Sequence, residues 1–233
     1  MSDRKADVAA NLEAVRARIA DACARSGRSA DEVTLTVVTK FFPASDVRLL
    51  ADLGVRHVGE NRHQEAQAKA AECADLGLVW HFVGGLQSNK AAAVAGYADV
   101  VESVDRGKLL RGLSKGAHES DHVVDVLVQV SLDEDDAAAR SGASPDDVPA
   151  LAEQVAAADG LRLRGVMAVA PLGADPVPAF ERLARVAEQV RLIDPAATWV
   201  SAGMSGDLEA AVESGATHVR IGSAVLGARP SDR

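Results

Sequence analysis

Apolar positions in the first 27 residues recur at Val8, Leu12, Val15, Ile19 and Cys23, in steps of four, three, four and four. That spacing puts them on one stripe of a helix over 1–27, and Ser26-Gly27 ends it. From residue 33 the pattern changes. Short β-branched runs at 33–40, 56–60, 79–85, 99–104, 123–132, 161–170, 198–203 and 218–227 predict eight strands. Between them, the Ala-, Leu- and Glu-rich stretches 44–53, 62–75, 88–95, 106–118, 145–158, 176–192 and 206–214 predict helices. Strands alternating with helices make parallel βαβ units, and runs apolar on both faces belong to a sheet covered by helices. Eight units predict an α/β fold, a (β/α)8 TIM barrel formed by 1–233 as a single domain. The N-terminal helix would stand where a last outer helix closes the ring. An open doubly wound sheet is the competing architecture, but the G-x-G-x-x-G fingerprint after its first strand is missing.

Charge and composition narrow the partners. The 34 acidic residues outnumber the 25 basic ones, for a net charge of −9, so neither a nucleic acid nor an anionic membrane is the expected partner. Only seven residues are aromatic, which leaves few platforms for stacking bases. No apolar run approaches the roughly 18 residues of a membrane helix, and the acidic start resembles neither a secretory nor a transit peptide. Cys23 and Cys73 stand far apart, in neither a redox nor a metal-ligand spacing. A cytoplasmic protein with reduced thiols, and a monomer, is expected. The one compositional shift is 131–147, with six acidic residues and one Arg. Its spacing is not that of a calcium loop; it reads as a solvated loop that could shade the site as a lid.

In a barrel, chemistry belongs at the C-terminal ends of the strands, and phosphate sites gather after strands 7 and 8. There the sequence has Ser201-Ala202-Gly203-Met204-Ser205-Gly206-Asp207 and Arg220-Ile221-Gly222-Ser223. Either turn alone could merely cap a helix; on neighbouring strands they suggest a phosphate cradle. Lys40 ends the first strand, which barrel closure sets beside strand 8. It is either a snorkelling lysine or an amine nucleophile able to form a Schiff base.

The segments VVTKFFP (37–43), HVGENRHQEAQAK (57–69), WHFVGGLQSNK (80–90), GVMAVAP (165–171) and 200–229 resemble the pyridoxal 5′-phosphate homeostasis family, over nearly the whole chain. These proteins share a barrel with the N-terminal domain of alanine racemase. The resemblance implies pyridoxal 5′-phosphate as cofactor, held as a Schiff base on Lys40. It implies that Ser201, Ser205, Gly222 and Ser223 hold the phosphate, that Arg220 faces the pyridine nitrogen, and that Asn61, His81 and Met167 line the pocket. The chain departs from the family pattern at Arg62, Ala202, Ser223 and Arg140, where Tyr, Met, Thr and Lys are usual.

A guanidinium stays protonated and cannot accept a hydrogen bond, so Arg220 at the ring would keep the pyridine nitrogen unprotonated and the electron sink weak. The single tyrosine, Tyr97, precedes the fourth strand, on the barrel face away from Lys40. His57 and His218 begin strands and fall on that far face too. The function expected is binding and homeostasis of pyridoxal phosphate, as a carrier with little or no dedicated catalysis. Apo enzymes that use the cofactor would be acceptors, and amino acids weak ligands. The alternative is a racemase or lyase acting through the same Schiff base; a third reading is a phosphosugar barrel of the class I aldolase type.

Overall fold

The computed structural model describes residues 2–133 and 141–228. Eight parallel strands close in sequence order into a barrel: β1 (Thr34–Val38), β2 (His57–Glu60), β3 (Val79–Phe82), β4 (Val100–Val104), β5 (Val124–Gln129), β6 (Leu161–Met167), β7 (Trp199–Ser201) and β8 (His218–Ile221). The seam is a parallel β1–β8 pairing in which Thr34 meets His218 and Val37 meets Ile221. Around the sheet stand α2 (Ala44–Asp52), α3 (His63–Glu72), α4 (Ala91–Ala95), α5 (Leu110–Glu119), α6 (Val148–Ala156), α7 (Pro176–Ile193) and α8 (Leu208–Glu213). Their starts follow local chemistry. In α7, Pro176 at the first turn has the φ a helix needs, and the Asp175 carboxylate accepts the Val177 amide at 3.1 Å.

The N-terminal helix α1 (Ser2–Arg25) buries Val8, Leu12, Val15, Ile19 and Cys23, the stripe read from the sequence, and packs on α8 and on a last short helix, α9 (Ser223–Leu226). Arg4 bonds Asp46 of α2 and the Leu226 carbonyl of α9, so α1 covers the β8–β1 seam, the place expected for it. One run is shorter than predicted. The eighth strand stops at Ile221, and residues 223–226, read as its continuation, form α9; Gly222 ends the strand, and its carbonyl accepts the first helical amides, from Val225 and Leu226. Of the 131–147 segment, 134–140 and with it Arg140 lie outside the described residues. The described remainder is tied in place: Ala143 bridges Val130, and the Ser141 carbonyl accepts from Gln129 at 2.7 Å.

The apolar core lies between sheet and helices, in two large clusters. Inside the barrel the apolar filling is small, with Val100, Leu127 and Met167 packed by Val79 and Trp199. The rest of the buried interior is polar: Thr36, His81, Glu102, Ser201, His218 and Arg220.

Candidate functional site

At the C-terminal mouth of the barrel is a cavity of about 490 Å³. It brings together seven of the nine residues singled out from the sequence: Lys40, Asn61, Met167, Ser205, Arg220, Gly222 and Ser223. Ser201 and His81 are not part of its wall. Both are fully buried deeper in the barrel, because their strand positions aim them at the axis one layer below the mouth, where both bond Glu102.

Lys40 stands two residues beyond β1, in a turn rather than in the strand predicted for 33–40. The turn is sharp because α2 begins immediately after Pro43, and Phe41 takes φ +71°, a left-handed conformation unusual for an aromatic residue. A buried charge cluster holds it. Lys69 donates to the Thr39 carbonyl at 2.8 Å, to Glu60 Oε1 at 2.6 Å and to Glu65 Oε1 at 2.7 Å. The same Glu65 oxygen accepts the Phe41 amide at 2.6 Å, and the Thr39 hydroxyl donates to Glu60 at 2.6 Å. The backbone on both sides of Lys40 is thus clamped by α3 and β2. Burial pushes the Glu60 carboxyl up, and the hydrogen bonds from Lys69 and Thr39 pull against it. At the rim, the exposed Arg62 guanidinium lies 4.7 Å over the Phe41 ring.

Across the mouth, the Ser205 hydroxyl accepts the Ala224 amide at the start of α9 at 3.3 Å and lies 3.3 Å from the Ser223 hydroxyl. The Asp207 carboxylate fixes the preceding loop by accepting the Met204 amide at 2.6 Å. Gly203 in that loop has φ +94°, and a Cβ there would fall 2.7 Å from Ala211 Cβ. Gly84 on the opposite wall has the same steric logic, since its Cβ would come 2.2 Å from the Asn61 carbonyl oxygen. Asn61 keeps a buried side-chain oxygen that bonds no protein group.

Below the cavity a polar line crosses the barrel. Arg220 donates to the Ser201 hydroxyl at 2.6 Å and to the Ala168 carbonyl at 2.8 Å. Ser201 bonds Glu102 Oε2 at 2.5 Å, His81 Nδ1 lies 2.6 Å from Glu102 Oε1, and His81 Nε2 meets His57 Nδ1 at 3.0 Å. Burial opposes ionisation of Glu102, but the hydrogen bonds of His81 and Ser201 and the charges of His81 and Arg220 win, holding the carboxyl at about 2. Burial lowers the Arg220 guanidinium, offset by Glu102 and Asp207. His57 and His218 begin β2 and β8 as expected. Burial and neighbouring cationic groups keep them neutral, His57 at about 4 and His218 at about 3. His57 also lines a second cavity, of about 620 Å³, between α1 and the N-terminal ends of β1 and β2. Tyr97 precedes β4, but its ring is 5.9 Å from His63 at the head of α3, outside the barrel, rather than at the far face. The five-residue α4 is the reason: it descends only about 7 Å before Tyr97.

The mouth therefore offers a primary amine, a paired-hydroxyl cradle beside a helix start, and a buried guanidinium, a set suited to a molecule carrying both a carbonyl and a phosphate. The alanine racemase N-terminal domain model matches residues 10–230. A pyridoxal phosphate homeostasis protein of Mycobacterium tuberculosis is 42% identical, over 97% of this chain and 95% of its own length. The chain belongs to the pyridoxal phosphate homeostasis protein family. The Escherichia coli member is 38% identical over 96% of the chain. Among solved structures, PipY of Synechococcus elongatus, a structure with PLP bound, superposes with a TM-score of 0.81 at 34% identity, covering 94% of this chain and all of PipY. Alanine racemase of Corynebacterium glutamicum shares the barrel (TM-score 0.67, 15% identity), with this chain spanning 62% of its length. Family membership leaves the supporting residues to the structure. Glu60, Glu65, Lys69 and Glu102 were not anticipated as part of the site. Signals in the sequence bear on three of them: a carboxylate inside the apolar run DVVESV for Glu102, and a Glu–Lys pair four apart on α3 for Glu65 and Lys69.

Proposed function

We propose that this protein binds pyridoxal 5′-phosphate at the C-terminal mouth of the barrel and serves its homeostasis as a carrier. The observation that carries the proposal is the meeting of Lys40, Ser205, Ser223 and Arg220 around one cavity in a family whose PipY structure holds PLP. The residues fit the cofactor. The cavity has ordinary small-ligand size, Asn61 presents an unpartnered buried oxygen there, and Gly222 leaves the cradle open where a Cβ would meet the Val38 carbonyl at 3.2 Å.

When bound, pyridoxal phosphate supplies an aldehyde that reacts with amines and a ring that withdraws electrons. Lys40 is the covalent attachment point. Ser205, Ser223 and the Gly222–Ser223 backbone hold the phosphate, Asn61 and Met167 flank the ring, and Arg220 faces its nitrogen. Arg220 can only donate, so it leaves that nitrogen without a proton and withdrawal by the ring weak. Tyr97, the one side chain that could have served as a phenolic base, stacks on His63 outside the barrel. Both features favour carrying over catalysis. Apo enzymes that use the cofactor are the proposed acceptors, and amino acids weak ligands. The chain acts as a monomer in the cytoplasm, a location in keeping with its two buried free thiols.

Borohydride reduction of the loaded protein should fix the cofactor on Lys40 in a peptide map, and an adduct elsewhere overturns the attachment. Loaded protein should reactivate an apo enzyme with negligible racemisation of L-alanine. Racemisation at ordinary turnover, about 1–1,000 per second, overturns the carrier role.

A further inference from the structure

Arg220 and Glu102 stand on β8 and β4, strands four apart in the eight-stranded ring and so on opposite walls. Both side chains are almost wholly buried, and their charged atoms approach to 3.8 Å across the axis. Burying a guanidinium is costly unless a counter-charge and hydrogen-bond acceptors meet it. Here the Ser201 hydroxyl fills the gap. A guanidinium has no acceptor, so Ser201 must accept from Arg220 and send its own proton to Glu102. The ionised carboxylate accepts only, so His81 Nδ1 carries a proton toward its other oxygen. Every bond in the line therefore converges on Glu102, from the cofactor mouth through Ser201 and from the far mouth through His81. Among the described residues, the guanidinium's other hydrogen-bond anchor is the Ala168 carbonyl.

We propose that Glu102 is the positioning residue of the site: it touches no cofactor atom, but it fixes the direction of the Arg220 guanidinium, with Ser201 as the bridge. This gives Ser201 and His81 a supporting role in place of the pocket contacts expected of them, and it rests on Arg220 facing the cofactor ring.

Two measurements test it. The first uses the apo protein, in which side-chain ¹⁵N resonances of Arg220 report how tightly the guanidinium is held. Wild type should show separate, slowly exchanging Nη signals; E102Q should average them, and S201A should do so in part. Unchanged Arg220 signals in both variants overturn the proposal, and S201A serves on its own if E102Q does not fold. The second is a double-mutant cycle on cofactor retention. R220Q should weaken retention about ten- to hundredfold in the wild-type background, as loss of a charge-assisted bond implies, and less than about twofold in the E102Q background. An equal penalty in both backgrounds overturns the positioning role while leaving the ring contact standing. No penalty in either background removes the ring contact itself, and the positioning role falls with it.

Discussion

Replacing Lys69 by Met removes the centre of the cluster that clamps the turn on either side of Lys40. The lysine side chain is 8% exposed and Glu60 is 1% exposed, so the loss cannot be made good by water without opening the packing between α3 and β2. Three hydrogen bonds disappear, two of them to carboxylates at 2.6 and 2.7 Å. Their gross worth is largely offset by the cost of drying a lysine, so the relevant figure is that for orphaning a buried charge, about 3–5 kcal/mol near pH 8. The pH dependence identifies the cause. A carboxyl whose folded pKa is raised, as burial raises that of Glu60, contributes stability that is complete below its unfolded value and lost as pH rises through the folded value. Without Lys69 the folded value climbs further, so the deficit of K69M should shrink as pH falls, by up to about 1.4 kcal/mol per unit inside that window. Urea unfolding of the apo protein between pH 5.5 and 8.5, followed by Trp80 and Trp199 fluorescence, measures it. The double variant K69M/E60Q, which removes the fully buried carboxylate and leaves only the partly exposed Glu65 without its lysine, should recover most of the loss. A deficit under about 1 kcal/mol, or one constant across that pH range, refutes the cluster as an anchor of the Lys40 turn.

Gly84→Ala should weaken cofactor retention and lower stability by about 1–3 kcal/mol, because its Cβ would meet the Asn61 carbonyl at 2.2 Å; retention and urea midpoint both at wild-type level would contradict this crowding. His218 is buried neutral with its pKa lowered to about 3, so the unfolded chain takes up a proton that the folded chain refuses, and stability present above about pH 6.5 is lost as pH falls toward 3. That window is worth on the order of 5 kcal/mol, and H218Q should flatten this part of the acid limb; an unchanged slope between pH 6 and 4 would show that His218 is not a source of the acid sensitivity.

The barrel was legible because its signal is long and redundant. Eight β-branched runs at regular spacing admit few architectures, and the α1 stripe needed a surface that only the β8–β1 seam leaves open. Where the reading slipped, the competing influence was local. HVRIGSAVLG looks apolar enough for one long strand, but Gly222 turns the chain and its carbonyl starts α9. Lys40 reads as a strand end because the β-branched run VVT leads straight into it, whereas β1 stops at Val38 and the chain turns into Pro43, the N-cap of α2. Of the residues that line the mouth cavity, Lys40, Ser205, Gly222 and Ser223 are legible from motif and strand order, whereas Asn61 and Met167 come from the family resemblance alone. The second tier did not: whether Ser201 faces a ligand or Glu102 depends on the layer of the barrel it occupies. Layer depends on register between strands, as in the β4–β5 shift between Val101 and Val104, and no spacing within one strand encodes that.

The polar interior explains how a carrier can use this barrel. A dry aliphatic core would supply more burial but nothing to hold a guanidinium at the mouth, and the charge of Arg220 would have to be neutralised by the ligand alone. With Glu102 already there, Arg220 is compensated before any ligand arrives, so releasing the cofactor does not strand a bare charge in the barrel. Lys40 is likewise held from behind by its backbone, through Thr39 and Phe41, and not by the ligand. Both halves of the site are therefore organised in the apo protein. A site organised in this way would need little further ordering on loading, which suits the reversible loading and transfer proposed for it.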